Sequence, residues 1–96
     1  MSDKESVIKH LKIEGRVQGV GFRYYTRKTA DKYAVNGWVK NMDDGTVEAV
    51  LAGNEKAVMK MMEKLRDGPS PARVTGMEEI PTDNRAGDFQ SFTVRR

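Results

Sequence analysis

The stretch GRVQGVGFRYYT places Gly15, Gly19 and Gly21 within seven residues, and Arg23 follows two positions later, just after Phe22. So bare a backbone, delivered into a helix N-terminus, lets successive N–H groups converge on one point, and the helix dipole adds positive potential there. Arg23, one residue into that helix, can reach back over the loop with a planar fork of donors that matches the oxygens of a phosphate. The chemistry on offer is anion capture, with a phosphate monoester or phosphoanhydride group as its natural occupant. Two nucleotide loops fail on spacing. The dinucleotide pattern G-x-G-x-x-G would need glycine at position 24, where Tyr24 stands, and no G-x-x-x-x-G-K-[ST] occurs anywhere. A glycine cluster can also serve only a tight turn. One or two glycines suffice for that, however, and here there are three.

Other reactive chemistry is scarce. The chain has no cysteine, so it offers no disulfide, thiolate nucleophile or thiolate metal site, and its one histidine, His10, cannot form a cluster alone. No metal and no cofactor are expected. The formal net charge of +3, from 17 basic and 14 acidic residues, is too small to signal a nucleic-acid binder, but it is unevenly spread. Between Lys9 and Lys28 stand Lys9, Lys12, Arg16, Arg23, Arg27 and Lys28 against the single acid Glu14. A small anion would be drawn to that region.

The elements that must hold these residues follow from periodicity. Val7 to Glu14 alternates as a half-buried strand, and the glycine-rich segment then breaks the pattern. Phe22, Tyr25, Thr26, Thr29 and Tyr33 recur at helical spacing. Trp38 to Met42 reads as a short strand ending in Asp43-Asp44-Gly45, a strong hairpin signal, with Thr46 to Ala52 as its partner. Asn54 is a natural N-cap for a second helix whose Val58, Met61, Met62 and Leu65 share one face, closed by Gly68 and Pro69. Arg73 to Ile80 is strand-like, Pro81 to Gly87 is a loop, and Phe89 to Val94 is expected at or beside the fourth strand.

Strand, helix, strand, strand, helix, strand is the split βαβ order of a ferredoxin-like α+β fold, in which two helices cover one face of an antiparallel sheet and the other face is left to solvent. At 96 residues, with 38% hydrophobic and 32% charged content, the chain is expected to form one domain over residues 1–96. It contains no run of about 18 apolar residues, and its start, MSDKESVIKH, has no apolar region after the charges. Neither a membrane span nor a secretory signal is expected, and a cytoplasmic, monomeric protein is the default. Fold alone does not give function, since this scaffold carries RNA-binding modules, regulatory domains and enzymes.

The residues go further. GRVQGVGFR at 15–23 and GWVKNMDDGTVEAVLAG at 37–53 resemble the two signature segments of the acylphosphatase family, and the length, element order and closing FTVRR resemble it as well. In the first segment Gly15, Val17, Gln18, Gly19, Val20, Phe22 and Arg23 stand at the family's spacing; in the second, Gly37, Asn41, Gly45, Val47 and Gly53 do. The resemblance implies hydrolysis of acyl phosphates to a carboxylate and inorganic phosphate, which is product and inhibitor. It also implies a phosphate held by the backbone N–H groups of Arg16, Val17, Gln18, Gly19, Val20 and Gly21 together with the Arg23 guanidinium. The attacking water would be oriented by the Asn41 side chain.

The chemistry is consistent with that implication. Cleavage of an acyl phosphate at phosphorus expels a carboxylate whose parent acid has a pKa of about 4 to 5. So good a leaving group needs no general acid, and positioning with charge stabilisation is what remains to supply. Ordinary phosphate monoesters should be poor substrates, because expelling an alkoxide without a general acid or a metal leaves a high barrier. Asn41 suits a water because its amide both accepts and donates while staying neutral.

Plainer roles exist for each residue. Arg23 could be a solvated helix arginine or pair with Glu48 or Asp44, and Asn41 could merely start the hairpin turn. Arg16, Lys40 and Lys12 read as field charges, His10 as a surface residue, Trp38 and Tyr25 as packing, and Met59, Met61 and Met62 as core filling with one exposed member. Two alternative functions keep the fold. An RNA-binding module would stack bases on aromatics of its first and third strands, but HLKIE and TVEAVLA contain none. A non-catalytic anion-binding or carbamoyl-phosphate-binding domain would belong to a larger enzyme.

Overall fold

The structure, a computed structural model, describes residues 6–96; the first five residues of the segment read for a signal lie outside it. The described residues run β1 (Ser6–Arg16), α1 (Phe22–Tyr33), β2 (Asn36–Asn41), β3 (Val47–Asn54), α2 (Glu55–Asp67), β4 (Arg73–Ile80) and β5 (Phe92–Arg95), with a 3₁₀ turn at Ala86–Asp88. The strands form one sheet in the order β4-β1-β3-β2-β5. β1 lies antiparallel between β3 and β4, and β3 lies antiparallel to β2. The ferredoxin-like arrangement expected from the sequence is present.

The final segment differs from expectation in its place. β5 is a fifth strand at the edge opposite β4, pairing parallel with β2 in the register Gly37↔Phe92 to Lys40↔Arg95, so the sheet is mixed. A four-residue strand carries too little alternation to reveal its partner, and the connection that decides it is the segment from Pro81 to Ser91. That segment runs from one sheet edge to the other, held where Asn36 Nδ2 donates to the Phe89 carbonyl (3.1 Å) and the Gly37 N–H donates to the Ser91 carbonyl (2.9 Å). Asn36 belongs to the face away from the helices, so that face is strapped at one end rather than left wholly to solvent.

Alternation in the strands builds the core. Leu11 and Ile13 of β1, Val39 of β2, and Val47, Ala49 and Leu51 of β3 are buried toward the helices. Phe22 and Ala30 of α1 and Val58, Met61 and Leu65 of α2 complete that layer, while Met59 points outward, as the helical spacing predicts. Burying Phe22 alone is worth about 2–3 kcal/mol, and it fixes the first turn of α1 immediately before Arg23. Tyr25 ties the helices together by donating its hydroxyl to the Lys64 carbonyl (2.9 Å). No helix among the described residues is long and apolar enough to cross a membrane.

Two tight approaches explain two glycines. Gly37, at φ +136°, lies where a Cβ would overlap the carbonyl of Val50, so β2 extends back to Asn36, two residues before the alternation alone suggests. Gly15, at φ +123°, sits at a bulge where β1 shifts register against β4, and a Cβ there would overlap the Arg73 carbonyl.

Candidate active site

The loop from Val17 to Gly21 joins β1 to α1 across the end of the sheet. Its side chains divide the work: Val17 is fully buried and Val20 packs against the core, which fixes the loop from below. Gln18 fixes it laterally. Its Nε2 donates to the carbonyls of Met42 and Thr46, each at 2.8 Å, and so bolts the loop to the β2–β3 hairpin. Gly19 and Gly21 both have positive φ, +73° and +78°, and a Cβ at either would meet nothing within 4 Å, so the backbone there is bare toward open space.

The start of α1 is uncapped by any side chain. Gly21 is its N-cap in the left-handed conformation, no side chain caps it, and no acid stands in its first turn. α2 contrasts with it, since Asn54 Oδ1 accepts from the N–H groups of Lys56 and Ala57 at 3.0 and 3.3 Å and Glu55 follows. Outside the strands and helices, the backbone hydrogen bonds among the described residues include none donated by the N–H groups of Gln18 to Gly21. Unpaired donors beside a positive helix end attract negative charge.

Arg23 and Asn41 meet in a cleft of about 530 Å³ in front of this loop, lined by Gly19, Gly21, Arg23, Tyr24, Arg27, Asn41, Val94 and Arg96. Asn41 is the last residue of β2 and shares the helix-facing side with Gly37 and Val39, which aims it at the start of α1. Its Oδ1 is buried with no hydrogen-bond partner. It takes no part in the hairpin turn, which is closed by Met42 N–H to Thr46 O (2.8 Å), Gly45 N–H to Met42 O (3.2 Å) and the Asp44 carboxylate. Arg23 in turn donates from Nη1 to the Arg95 carbonyl at 3.0 Å. The acids suggested as its plainer partners are engaged elsewhere, Asp44 with Lys12 (3.5 Å) and Glu48 with His10 (2.8 Å).

The structure thus brings together four of the residues expected from the sequence, Gly19, Gly21, Arg23 and Asn41. Arg16 closes β1 opposite Arg73, and Val17, Gln18 and Val20 shape the loop from behind rather than lining the cleft. Gly15 belongs to the β-bulge and not to the loop. Tyr24, Val94 and Arg96 are not among the site residues expected from the sequence, and Arg27 is expected only as one charge of the basic stretch from Lys9 to Lys28. Arg27 had a signal, its i+4 spacing from Arg23, whereas Val94 and Arg96 arrive only through the parallel pairing of β5.

Behind the cleft, β5 is anchored on the far face of the sheet. The Arg95 guanidinium lies 4.7 Å from the centre of the Trp38 ring, and His10 meets that ring edge-on at 5.5 Å while donating from Nε2 to Glu48. His10 is therefore a partly buried member of a cross-strand cluster and not a plain surface residue. Below the hairpin, two hydrogen bonds from Thr46 and the nearby Lys12 hold the Asp44 carboxyl below the ordinary carboxylate range. Among the described residues no three His, Asp or Glu side chains gather as a metal-binding group.

Comparison with known proteins agrees with this architecture. The acylphosphatase family model matches residues 9–94. An acylphosphatase of Rhizobium etli is 49% identical over 92 residues, covering 94% of this chain and 97% of that protein, and one of Pyrobaculum calidifontis is 45% identical over 93 residues, covering 96% and 84%. The crystal structure of an acylphosphatase from Bacillus subtilis superimposes with a TM-score of 0.87 at 35% identity, covering 96% of this chain and all of that one.

Proposed function

The chain belongs to the acylphosphatase family, and we propose that it hydrolyses acyl phosphates to a carboxylate and inorganic phosphate at the cleft between Arg23 and Asn41. The observation that carries this reading is the pairing of an arginine with a buried, unpartnered amide oxygen in a cleft that no Asp or Glu lines.

The phosphoryl group accepts from the backbone N–H groups of residues 16–21 and from Arg23. One guanidinium nitrogen stays on the Arg95 carbonyl, and the other donors are left for phosphate oxygens. Asn41 orients a water for in-line attack at phosphorus. An unpaired buried acceptor costs about 1–3 kcal/mol, and a water donating to Oδ1 removes that deficit while turning a lone pair toward the phosphoryl group. The P–O bond to the acyl oxygen breaks, the carboxylate leaves with the electron pair, and the water's proton passes to the phosphate. No acid is required for so good a leaving group, which fits a cleft lined by three arginines and by no Asp or Glu. The reaction uses no metal, and inorganic phosphate inhibits by occupying the same loop.

The same reading makes the protein a cytoplasmic monomer acting on small molecules and not on nucleic acid. Trp38, the aromatic residue of the strand-borne face, is already engaged by Arg95 and His10, which leaves no free stacking platform there for RNA. The test is turnover of benzoyl phosphate beside p-nitrophenyl phosphate. Hydrolysis of the first with little or none of the second is expected, and a folded protein that leaves benzoyl phosphate intact would overturn the assignment.

A further inference from the structure

We propose that Trp38 is a positioning residue for Arg23, acting from the far face of the sheet through Arg95; this rests on the acyl-phosphate reading above and adds to it a residue that does not line the cleft. Two contacts of Arg95 carry the inference. Its backbone carbonyl accepts from Arg23 Nη1 at 3.0 Å, and its guanidinium lies 4.7 Å from the centre of the Trp38 ring. One residue thus joins the cleft to an aromatic ring on the opposite side of the sheet.

The second contact matters because little else holds β5 at that end. The strand has four residues at a sheet edge, and Phe92, its first, is buried while Thr93, Val94 and Arg95 are exposed. Short edge segments with exposed side chains open at small cost. The Phe92 end is secured by that burial and by the Gly37 N–H donating to the Ser91 carbonyl (2.9 Å). The Arg95 end has its pairing with β2 and the stack on Trp38. The ring is itself fixed. Trp38 is half-buried in the middle of β2, whose other edge pairs with β3, and His10 of β1 meets it edge-on at 5.5 Å while bonded to Glu48 of β3 at 2.8 Å. The carbonyl that holds Arg23 is thereby tied to three neighbouring strands of the sheet. An exposed cation–π contact is worth about two- to fivefold in an equilibrium constant, so its loss should show as an effect of that size on whatever Arg23 binds.

The experiment measures kcat/KM for benzoyl phosphate and, by calorimetry, the Kd of inorganic phosphate. Trp38→Leu is expected to lower kcat/KM about fivefold and to raise Kd by about as much. Arg95→Gln, which keeps the carbonyl and loses the guanidinium, should do the same, whereas Trp38→Phe, whose ring can still face a guanidinium, should stay within about twofold of the unaltered protein. In an Arg23→Ala background Trp38→Leu should change kcat/KM by less than about twofold, because the group it positions is gone. Asn54→Ala removes the cap of α2, destabilises the fold by another route and should leave both constants unchanged. Unchanged constants in Trp38→Leu, a fivefold fall that persists in the Arg23→Ala background, or an equal fall in Asn54→Ala would overturn the inference while leaving acyl-phosphate hydrolysis standing. A folded protein without turnover would instead overturn the hydrolase assignment, and the phosphate Kd in the same variants would still decide whether Trp38 positions Arg23.

Discussion

Arg23 Nη1 donates to the backbone carbonyl of Arg95 at 3.0 Å, joining the first turn of α1 to the last strand 72 residues later. The bond explains how a long, flexible side chain is held at one point. Phe22 fixes the helix start, and β5 is fixed by its parallel register with β2, which sets Arg95 opposite Lys40, the residue before Asn41. Arg23→Ala should therefore lower kcat/KM for benzoyl phosphate by about 10³-fold and weaken inhibition by inorganic phosphate. Steady-state kinetics with phosphate as inhibitor checks both. Unchanged phosphate inhibition would remove Arg23 from the binding site.

Asn41→Ala should separate activity from stability. Loss of the water-orienting amide is expected to lower kcat by about 10²-fold or more, with KM and phosphate inhibition little changed. Thermal unfolding should occur at an unchanged or higher temperature, because the substitution removes a buried oxygen that has no partner. A variant with normal kcat would leave Asn41 without its role.

Gln18 is expected to act on both counts. Its amide bridges two hairpin carbonyls, so Gln18→Ala should cost about 1–2 kcal/mol of stability and also lower kcat, since the loop and Asn41 would no longer be held in register. Chemical denaturation beside kinetics tests the pair. A stability loss with full activity would show that the bridge does not position the site.

The two kinds of glycine should respond differently to alanine. Gly15→Ala drives a Cβ into the Arg73 carbonyl at a left-handed φ and should destabilise by about 3 kcal/mol or more. Gly19→Ala meets no neighbour and should cost only the left-handed backbone strain, about 1–2 kcal/mol. It should fold, yet lose activity, because the new methyl group enters the lining of the cleft. Circular dichroism and turnover distinguish the outcomes.

Asp44 gives a pH dependence of known sign. Its carboxyl is held below the ordinary range by the Thr46 hydroxyl and N–H and by Lys12, so its contribution to stability is complete above its unfolded pKa and is lost as pH falls through the folded one. The stability difference between the unaltered protein and Asp44→Ala should therefore hold above about pH 4 and narrow as the pH falls below it. Denaturation curves on both sides of that pH check it, and a gap that widens toward acid would contradict the role.

Much of this molecule is legible before folding. Alternation in β1 and β3, the Asp-Gly turn, the Asn54 cap and the Val58 to Leu65 stripe are local signals, and local physics satisfies them. The glycine loop and Arg23 are adjacent in sequence, so their meeting needs only a strand and a helix. Asn41 came through resemblance, because nothing local tells a strand-end asparagine from a turn-former. What sequence could not show is long-range. The side of the sheet that β5 joins, and with it Val94, Arg96 and the Arg95 carbonyl, depends on the crossing segment from Pro81 to Ser91. His10 read as exposed because strand alternation assigns a face but not the neighbour, and its neighbours are Trp38 and Glu48 from two other strands.

The central claim, water attack at phosphorus in a cleft that needs no metal, is tested most directly by hydrolysing benzoyl phosphate in ¹⁸O-labelled water with excess chelator. The expected result is undiminished turnover with the label in inorganic phosphate and none in benzoate. Label in benzoate would place the attack at the acyl carbon, and turnover abolished by the chelator would make a metal part of the reaction; either would contradict the mechanism.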